Sequence, residues 1–350
     1  MLYIHKTNCI SPQQSFLNPD LRELKLSADN MMKAIEPSYE GIPPGQLRRM
    51  GKAVRLGVGA ALPLLKDQQV LDGIILGTAN GGMEDCIKFL NQIIDYDEGT
   101  LTPTNFVQST TNAIASQVAF MAKNKGYNIT HVHRGLSFEN ALQDAMMLAL
   151  EDAGKTYLLG GVDEISDYNF NIDYLIGCFK SEITSNTELY DTDSVGTIAG
   201  EAAAMFIVNG IKENAIAAVK AMAMLHSKEM SDLQLALKDF LSTNKINSNE
   251  IDLLITGENG DNRSDPFSIE VEKHFPQTIS ILRYKHATGE FPSASSFSLW
   301  LACHLLGTQE IPNHFFKRKA EARAIKNILL YNCYQGVQHS FVMVTNSKFS

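Results

Sequence analysis

Two features of the sequence predict an α/β fold. Short aliphatic or β-branched segments alternate along the chain with longer segments of helical periodicity, the pattern of strands layered against helices. A strand–turn–helix unit at residues 128–142, NITHVHRGLSFENAL, also has a counterpart at residues 279–302, ISILRYKHATGEFPSASSFSLWLA. Each is an apolar strand, a glycine-containing turn and a helix rich in small residues. The pair predicts two similar halves.

In chain order, residues 1–4 read as a short strand and 11–44 as irregular chain, interrupted by Pro12, Pro19, Pro37, Pro43 and Pro44. A helix is expected over 46–65, a strand over 70–76 and a second helix over 83–94. The turn between them, Gly77-Thr78-Ala79-Asn80-Gly81-Gly82, has neither G-x-G-x-x-G spacing nor a P-loop lysine, so its glycines indicate close strand–helix packing rather than phosphate binding. Residues 102–123 begin with a proline loop and continue as a helix of small residues, which places it in the interior. Strands follow at 128–132, 156–159, 204–208, 215–223, 251–256 and 279–284. Helices are expected at 233–240 and 297–306, and a closing hairpin at 327–331 and 340–345.

The 128–142 unit is the one built for chemistry. Gly135 permits a sharp turn, Ser137 is positioned to cap the following helix, and Glu139 puts a negative charge in its first turn. Phe138, Leu142, Ala145, Met146 and Ala149 form one apolar face, and Gly154 ends the run. Such a unit can present a nucleophile where backbone N–H groups stabilise negative charge. The turn His133-Arg134-Gly135-Leu136 has no cysteine, however, and G-L-S-F-E lacks the final glycine of a G-x-S-x-G elbow.

Composition narrows the possibilities. The chain has 350 residues, 44% hydrophobic and 20% charged, enough for a substantial core. A net charge of −9 without a basic block argues against nucleic acid as a partner. The five cysteines, Cys9, Cys86, Cys178, Cys303 and Cys333, form no C-x-x-C pair, which fits reduced thiols rather than disulfides or zinc. No apolar run approaches membrane-spanning length, so a soluble, cytoplasmic protein is expected.

Several segments together resemble the β-ketoacyl synthases of the thiolase fold. They are the turn Gly77–Glu84 (G-T-x-x-G-G-x-E), Gly160–Glu164 (G-G-x-[ED]), Gly200-Glu201-Ala202-Ala203, Lys285–Glu290 (K-x-x-x-G-H, ending in Glu290) and Asn332-Cys333-Tyr334-Gln335-Gly336. Thr102–Phe106, Ser109, Asn112-Ala113 and Ser137-Phe138 are closer to shortened, synthase-like proteins of aryl-polyene and related pigment pathways, themselves similar to the chain-length factors of type II polyketide systems. The resemblance implies a five-layer α-β-α-β-α arrangement, with similar halves over residues 1–205 and 206–350. It also implies a cysteine nucleophile and two histidines that assist decarboxylation. Here the cysteine position falls at Gly135, the first histidine at Asn259 and the second at Glu290, while Lys285 persists. An ion pair of Lys285 with Glu290 or Glu258 is expected in place of the reactive set.

The implied role is a non-catalytic, chain-length-factor-like subunit. Its partners would be a competent ketosynthase, or a second copy of itself through the strand around 129–133, and an acyl carrier protein. No cofactor or metal is expected. Two alternatives stay open: a condensing enzyme or acyltransferase with a displaced nucleophile (Ser137, Cys333 or Cys86), and a stand-alone module binding acyl chains or carrier protein. His131 and His133 on one side of a strand read as interface or core rather than metal ligands. Cys333 and Cys86 read as packing residues; His286 neighbours the second histidine position, but the motif's spacing counts against it as a shifted base. The basic run Phe315-Phe316-Lys317-Arg318-Lys319 with Arg323 reads as solvated surface, with docking of an acidic carrier protein as the other reading.

Overall fold

The computed structural model describes residues 1–66, 71–321 and 323–348. Its strands are β1 Leu2–Ile10, β2 Gly73–Gly77, β3 Tyr127–His131, β4 Tyr157–Asp163, β5 Ala202–Asn209, β6 Ala217–His226, β7 Leu253–Thr256, β8 Ser280–Arg283, β9 Phe316–Arg318, β10 Asn327–Tyr334 and β11 Gln338–Asn346. The main helices are α1 Lys52–Leu65, α2 Met83–Asp95, α3 Pro103–Gln108, α4 Ala113–Ala122, α5 Ser137–Glu151, α6 Asp167–Leu175, α7 Met230–Thr243, α8 Asp265–Glu272 and α9 Ser295–Thr308.

Hydrogen bonding runs through the order β9-β8-β7-β10-β11-β6-β1-β5-β4-β2-β3. The order contains a repeat. In the first half β3-β2-β4 are parallel and β4-β5-β1 antiparallel. In the second half β8-β7-β10 are parallel and β10-β11-β6 antiparallel. The two halves join where β1 meets β6 over the pairs Leu2↔Val219 to Ile4↔Ala217.

Side-chain alternation along these strands generates the layers. Ile74 and Leu76 point into a core formed with α1 and α4, whereas Ile75 points into a central core containing α5 and α9. In the second half Leu253 and Ile255 share that central core, and Leu254 faces α7 and α8. Strands buried on both faces need apolar residues at every position, so they carry continuous aliphatic runs such as Ile74-Ile75-Leu76. The result is the thiolase-like α-β-α-β-α stack: α1 and α4, sheet, α5 and α9, sheet, α7 and α8.

Several elements depart from the expectations. β1 extends to Ile10 because Lys6–Ile10 pair with β5. The 46–65 helix breaks at Gly51, beside Asp85 and Gln108. The small-residue helix α4 is not interior: Ala113, Ile114, Ala115 and Val118 face α1, but Phe120 is 71% exposed, so α4 belongs to an outer layer. β2 begins at Gly73; Val70, expected to open it, lies outside the described residues. Strand β5 runs through positions 205 and 206, and the strand order of the second half opens at Ala217.

Candidate functional site

The turn after β3 is held by one hydroxyl. Ser137 Oγ accepts from the His133 N–H at 2.8 Å and donates to the Arg134 carbonyl at 2.8 Å. Ser137 is therefore the first residue of α5 and not its cap, a correction to the expected role; Leu136 occupies the capping position without a side-chain bond. Arg134 takes φ 49° inside the turn. Beneath it, Gly77 lets the backbone of α5 pass close: a Cβ there would lie 2.6 Å from Phe138 Cα. Gly77 is thus a packing glycine. The same turn donates Ala79 N–H and Asn80 N–H, at 2.9 and 2.8 Å, to the buried carboxylate of Asp163.

Gly135 itself is covered. Tyr334, at the end of β10, lies so close that a Cβ at position 135 would fall 2.6 Å from Tyr334 Cδ1 and nearer still to its Cβ and Cγ. The Gly135 N–H donates to Gln338 Oε1 at 2.8 Å, and Gln338 Nε2 donates to the His133 carbonyl at 3.3 Å. A nucleophile has no room at this turn, and a backbone donor that would stabilise an oxyanion already has an acceptor.

The residues at Lys285, Glu290 and Asn259 meet in one buried cluster. Lys285 Nζ donates to Glu290 Oε1 at 2.5 Å, with the lysine fully buried and the glutamate 7% exposed. Asn259 Nδ2 donates to Glu290 Oε2 at 2.8 Å, and Asn259 Oδ1 accepts from Ser264 Oγ at 3.1 Å. Both carboxylate oxygens are satisfied, as a buried charge requires. Glu258 is engaged elsewhere, with Arg283 at 3.2 Å and with Lys317. Lys285 therefore pairs with Glu290 and not with Glu258.

The alternative nucleophiles are not assembled. Ser137 is fully buried with its hydroxyl committed to the turn. Cys333 alternates with Asn332 and Tyr334 along β10, so it faces the outer core beside α7 and α8, where burial pushes its thiol up to about 12. Cys86 lies on α2, away from the pocket described below. His286 donates or accepts within a closed chain, 3.3 Å from Tyr190 OH and 2.8 Å from His314 Nδ1, and burial pulls it down to about 3. A base held neutral and enclosed in this way has no path to substrate.

His131 and His133 do not share a strand face, because β3 ends at His131. His131 pairs with Asp144 at 3.0 Å, and His133 contacts Asn140 at 3.0 Å. Among the described residues no group of three His, Cys, Asp or Glu is arranged to hold a metal ion. The basic run is not a free patch. Lys317 bridges Glu258 and Glu272, Arg318 contacts Gln277 and the Pro276 and Ile279 carbonyls, and Arg323 pairs with Asp252 at 3.0 Å.

A cavity of about 50 Å³ opens between these groups, lined by Asn259, Glu290, Phe291 and Tyr334 together with Glu164, Asn169, Phe170, Asp173, Cys178 and Arg263. That volume holds about three to five waters and no acyl chain. Sequence reading missed the α6 contribution, Asn169, Phe170 and Asp173. Its signal was present in the i, i+1, i+4 spacing after the Ser166 cap, which accepts from Asn169 N–H at 3.2 Å. Arg263 was missed because it binds Asp261, two residues away, across a loop with no periodicity.

Comparison with known proteins agrees with this architecture. Residues 24–171 match the family described as β-ketoacyl synthase, N-terminal domain. No curated protein matches the sequence significantly. Among solved structures, a β-ketoacyl synthase from Burkholderia phymatum superposes with TM-score 0.78 at 14% identity, covering 99% of both chains. The ishigamide ketosynthase/chain length factor gives TM-score 0.76 at 14% identity, over 99% of this chain and 98% of that one. The ketosynthase ApeO in complex with its chain length factor ApeC, from Xenorhabdus doucetiae, gives 0.77 at 12% identity with the same coverage. No helix among the described residues is long and apolar enough to cross a membrane. Residues 24–171 thus match the β-ketoacyl synthase N-terminal domain family, and the chain over its whole length has the thiolase-like fold seen in these ketosynthase and chain length factor structures.

Proposed function

We propose that this chain is a non-condensing subunit, similar to a chain length factor, that pairs with a competent ketosynthase in fatty-acid- or polyketide-type biosynthesis of a pigment class. In this reading Gly135 stands at the place of the acyl-accepting cysteine, Asn259 and Glu290 stand at the places of the two histidines, and Lys285 is retained. The observation that carries the reading is the closed turn: Tyr334 fills the space above Gly135 and Gln338 takes its N–H. An ion pair in place of two imidazoles supports it further, since Glu290 bonded to Lys285 offers no neutral donor to a thioester oxygen.

Pairing has a physical basis in β3. It is the edge strand of the sheet, bonded to β2 on one side only. Exposed apolar side chains lie beside it and on the helices that pack on it: Val132, Phe120 on α4, and Met147 and Leu150 on α5. An exposed edge with an apolar margin seeks a partner strand. The partner we favour is a ketosynthase, with a second copy of this chain in its absence. The acyl chain and its carrier protein would then be handled by the pair, in the cytoplasm, because the cavity within this chain cannot hold the product. We place the division between the halves in the loop 210–216.

Incubation of the purified chain with an acyl thioester, followed by intact mass measurement, tests the inactive role: no stable adduct is expected, and an adduct on Ser137, Cys333 or Cys86 would refute it. Co-expression with candidate ketosynthases tests the pairing by co-elution, and a strict monomer with every candidate would refute that part.

A further inference from the structure

The cavity is lined by carboxylates that are not all ion-paired among the described residues. Two of its four carboxylates are paired, Asp261 with Arg263 and Glu290 with Lys285. The other two, Glu164 and Asp173, make no ion pair within 4.0 Å among the described residues. Glu164 is 4% exposed and accepts only from the Ala53 N–H, at 2.9 Å. Burial raises the pKa of both, Glu164 to about 7, and for Asp173 the Arg134 charge works against the rise.

The walls are aromatic. Phe170 and Phe179 stack with centroids 5.1 Å apart, and Phe291 and Tyr334 line the same space. Ring faces beside unpaired carboxylates favour a cation over an anion or a neutral apolar group. A second and independent observation points to a ligand. Asn169 is 92% buried and lines the cavity, yet its Nδ2 meets no acceptor. A buried amide donor left without an acceptor is unfavourable, so an oxygen supplied from outside would relieve it.

We propose that this cavity binds a small alkylammonium ion bearing a hydroxyl or carbonyl oxygen, with Glu164 and Asp173 facing the charge and Asn169 donating to the oxygen. The volume limits the ligand to the size of a two-carbon amino alcohol. The site lies apart from β3, so the inference does not depend on the pairing role.

Isothermal titration of the full chain at pH 8, where Glu164 is ionised, with ethanolamine, ethylammonium and acetate tests it. Ethanolamine should bind saturably at one site, ethylammonium more weakly, and acetate not at all. E164Q and D173N should each weaken ethanolamine about tenfold. N169A should lower ethanolamine to the affinity of ethylammonium and leave ethylammonium unchanged. Thermal melts identify any variant that fails to fold; D173N, at a half-exposed helical position, is the variant that keeps the test decisive. Absence of saturable ethanolamine binding, equal binding of acetate, or unchanged affinity in folded variants would each overturn the proposal.

Discussion

Tyr334 occupies the space that any side chain at Gly135 would need: an added Cβ falls 2.6 Å from its Cδ1. The two residues come from different halves of the chain and meet where β10 ends above the turn before α5. Substituting G135C should therefore cost about 1–3 kcal/mol from overpacking alone, read by denaturant unfolding, and should leave the thiol unacylated by an acyl thioester. In a double-mutant cycle with Y334A, G135C should cost less than it does in the wild type, because the truncated side chain leaves room for the thiol. Full stability of G135C alone would show that the ring moves aside freely.

Lys285 and Glu290 make a second prediction. Removing one partner strands the other as a buried charge, so K285M should destabilise the chain by about 3–5 kcal/mol. The double variant K285M/E290Q should regain a large part of that loss, because no charge is left in the core. A double-mutant cycle from urea unfolding measures the coupling, and additive costs would contradict an ion pair at this position.

Glu139 carries a pH dependence whose sign follows from linkage. It is fully buried, bonded to Ser340 Oγ at 2.7 Å and with no partner for Oε2; burial raises it from 4.5 to about 7. A folded state that holds its proton more tightly than the unfolded chain is most stable below the unfolded value. Its contribution falls as pH rises from 4.5 through 7 and is then constant. E139Q should remove that slope and be more stable than the wild type at pH 8 by roughly 2–3 kcal/mol. Parallel stability curves for the two proteins between pH 4.5 and 8 would exclude Glu139 as the source.

The edge strand gives a fourth. Val132 and Phe120 are 52% and 71% exposed, so charges there disturb no core. V132D combined with F120D should abolish co-elution with a partner ketosynthase, or self-association, and shift the melting temperature by little. Retained assembly would move the interface away from β3.

Much of this was readable along the chain because it is local. Continuous aliphatic runs at 74–76 and 253–255 mark strands buried on both faces, and the turn chemistry at Gly77 and Gly135 marks sharp strand-to-helix passages. The Lys285–Glu290 pair was also legible, since the two side chains sit five residues apart on one short helix and its exit. Other expectations failed where the deciding partner is remote. β1 was expected to stop at Ile4, yet β5 pairs with it through Ile10 from more than 190 positions away. Ser137 was expected to cap because serine before a helix usually does, but the turn claims its hydroxyl first.

The sequence by itself determined the layered α/β class, the repeat of strand–turn–helix units and the absence of a thiol at the turn before α5, since each is written in residue type and short-range spacing. Only the tertiary structure decided that the turn is shut and that the cavity is acidic. Gly135 reaches Gln338 across 203 positions, and Glu164, Asp173 and Asn169 meet Asn259 and Glu290 only once the halves have packed. Contacts of that range follow from how side chains fill a shared core, which no local period records.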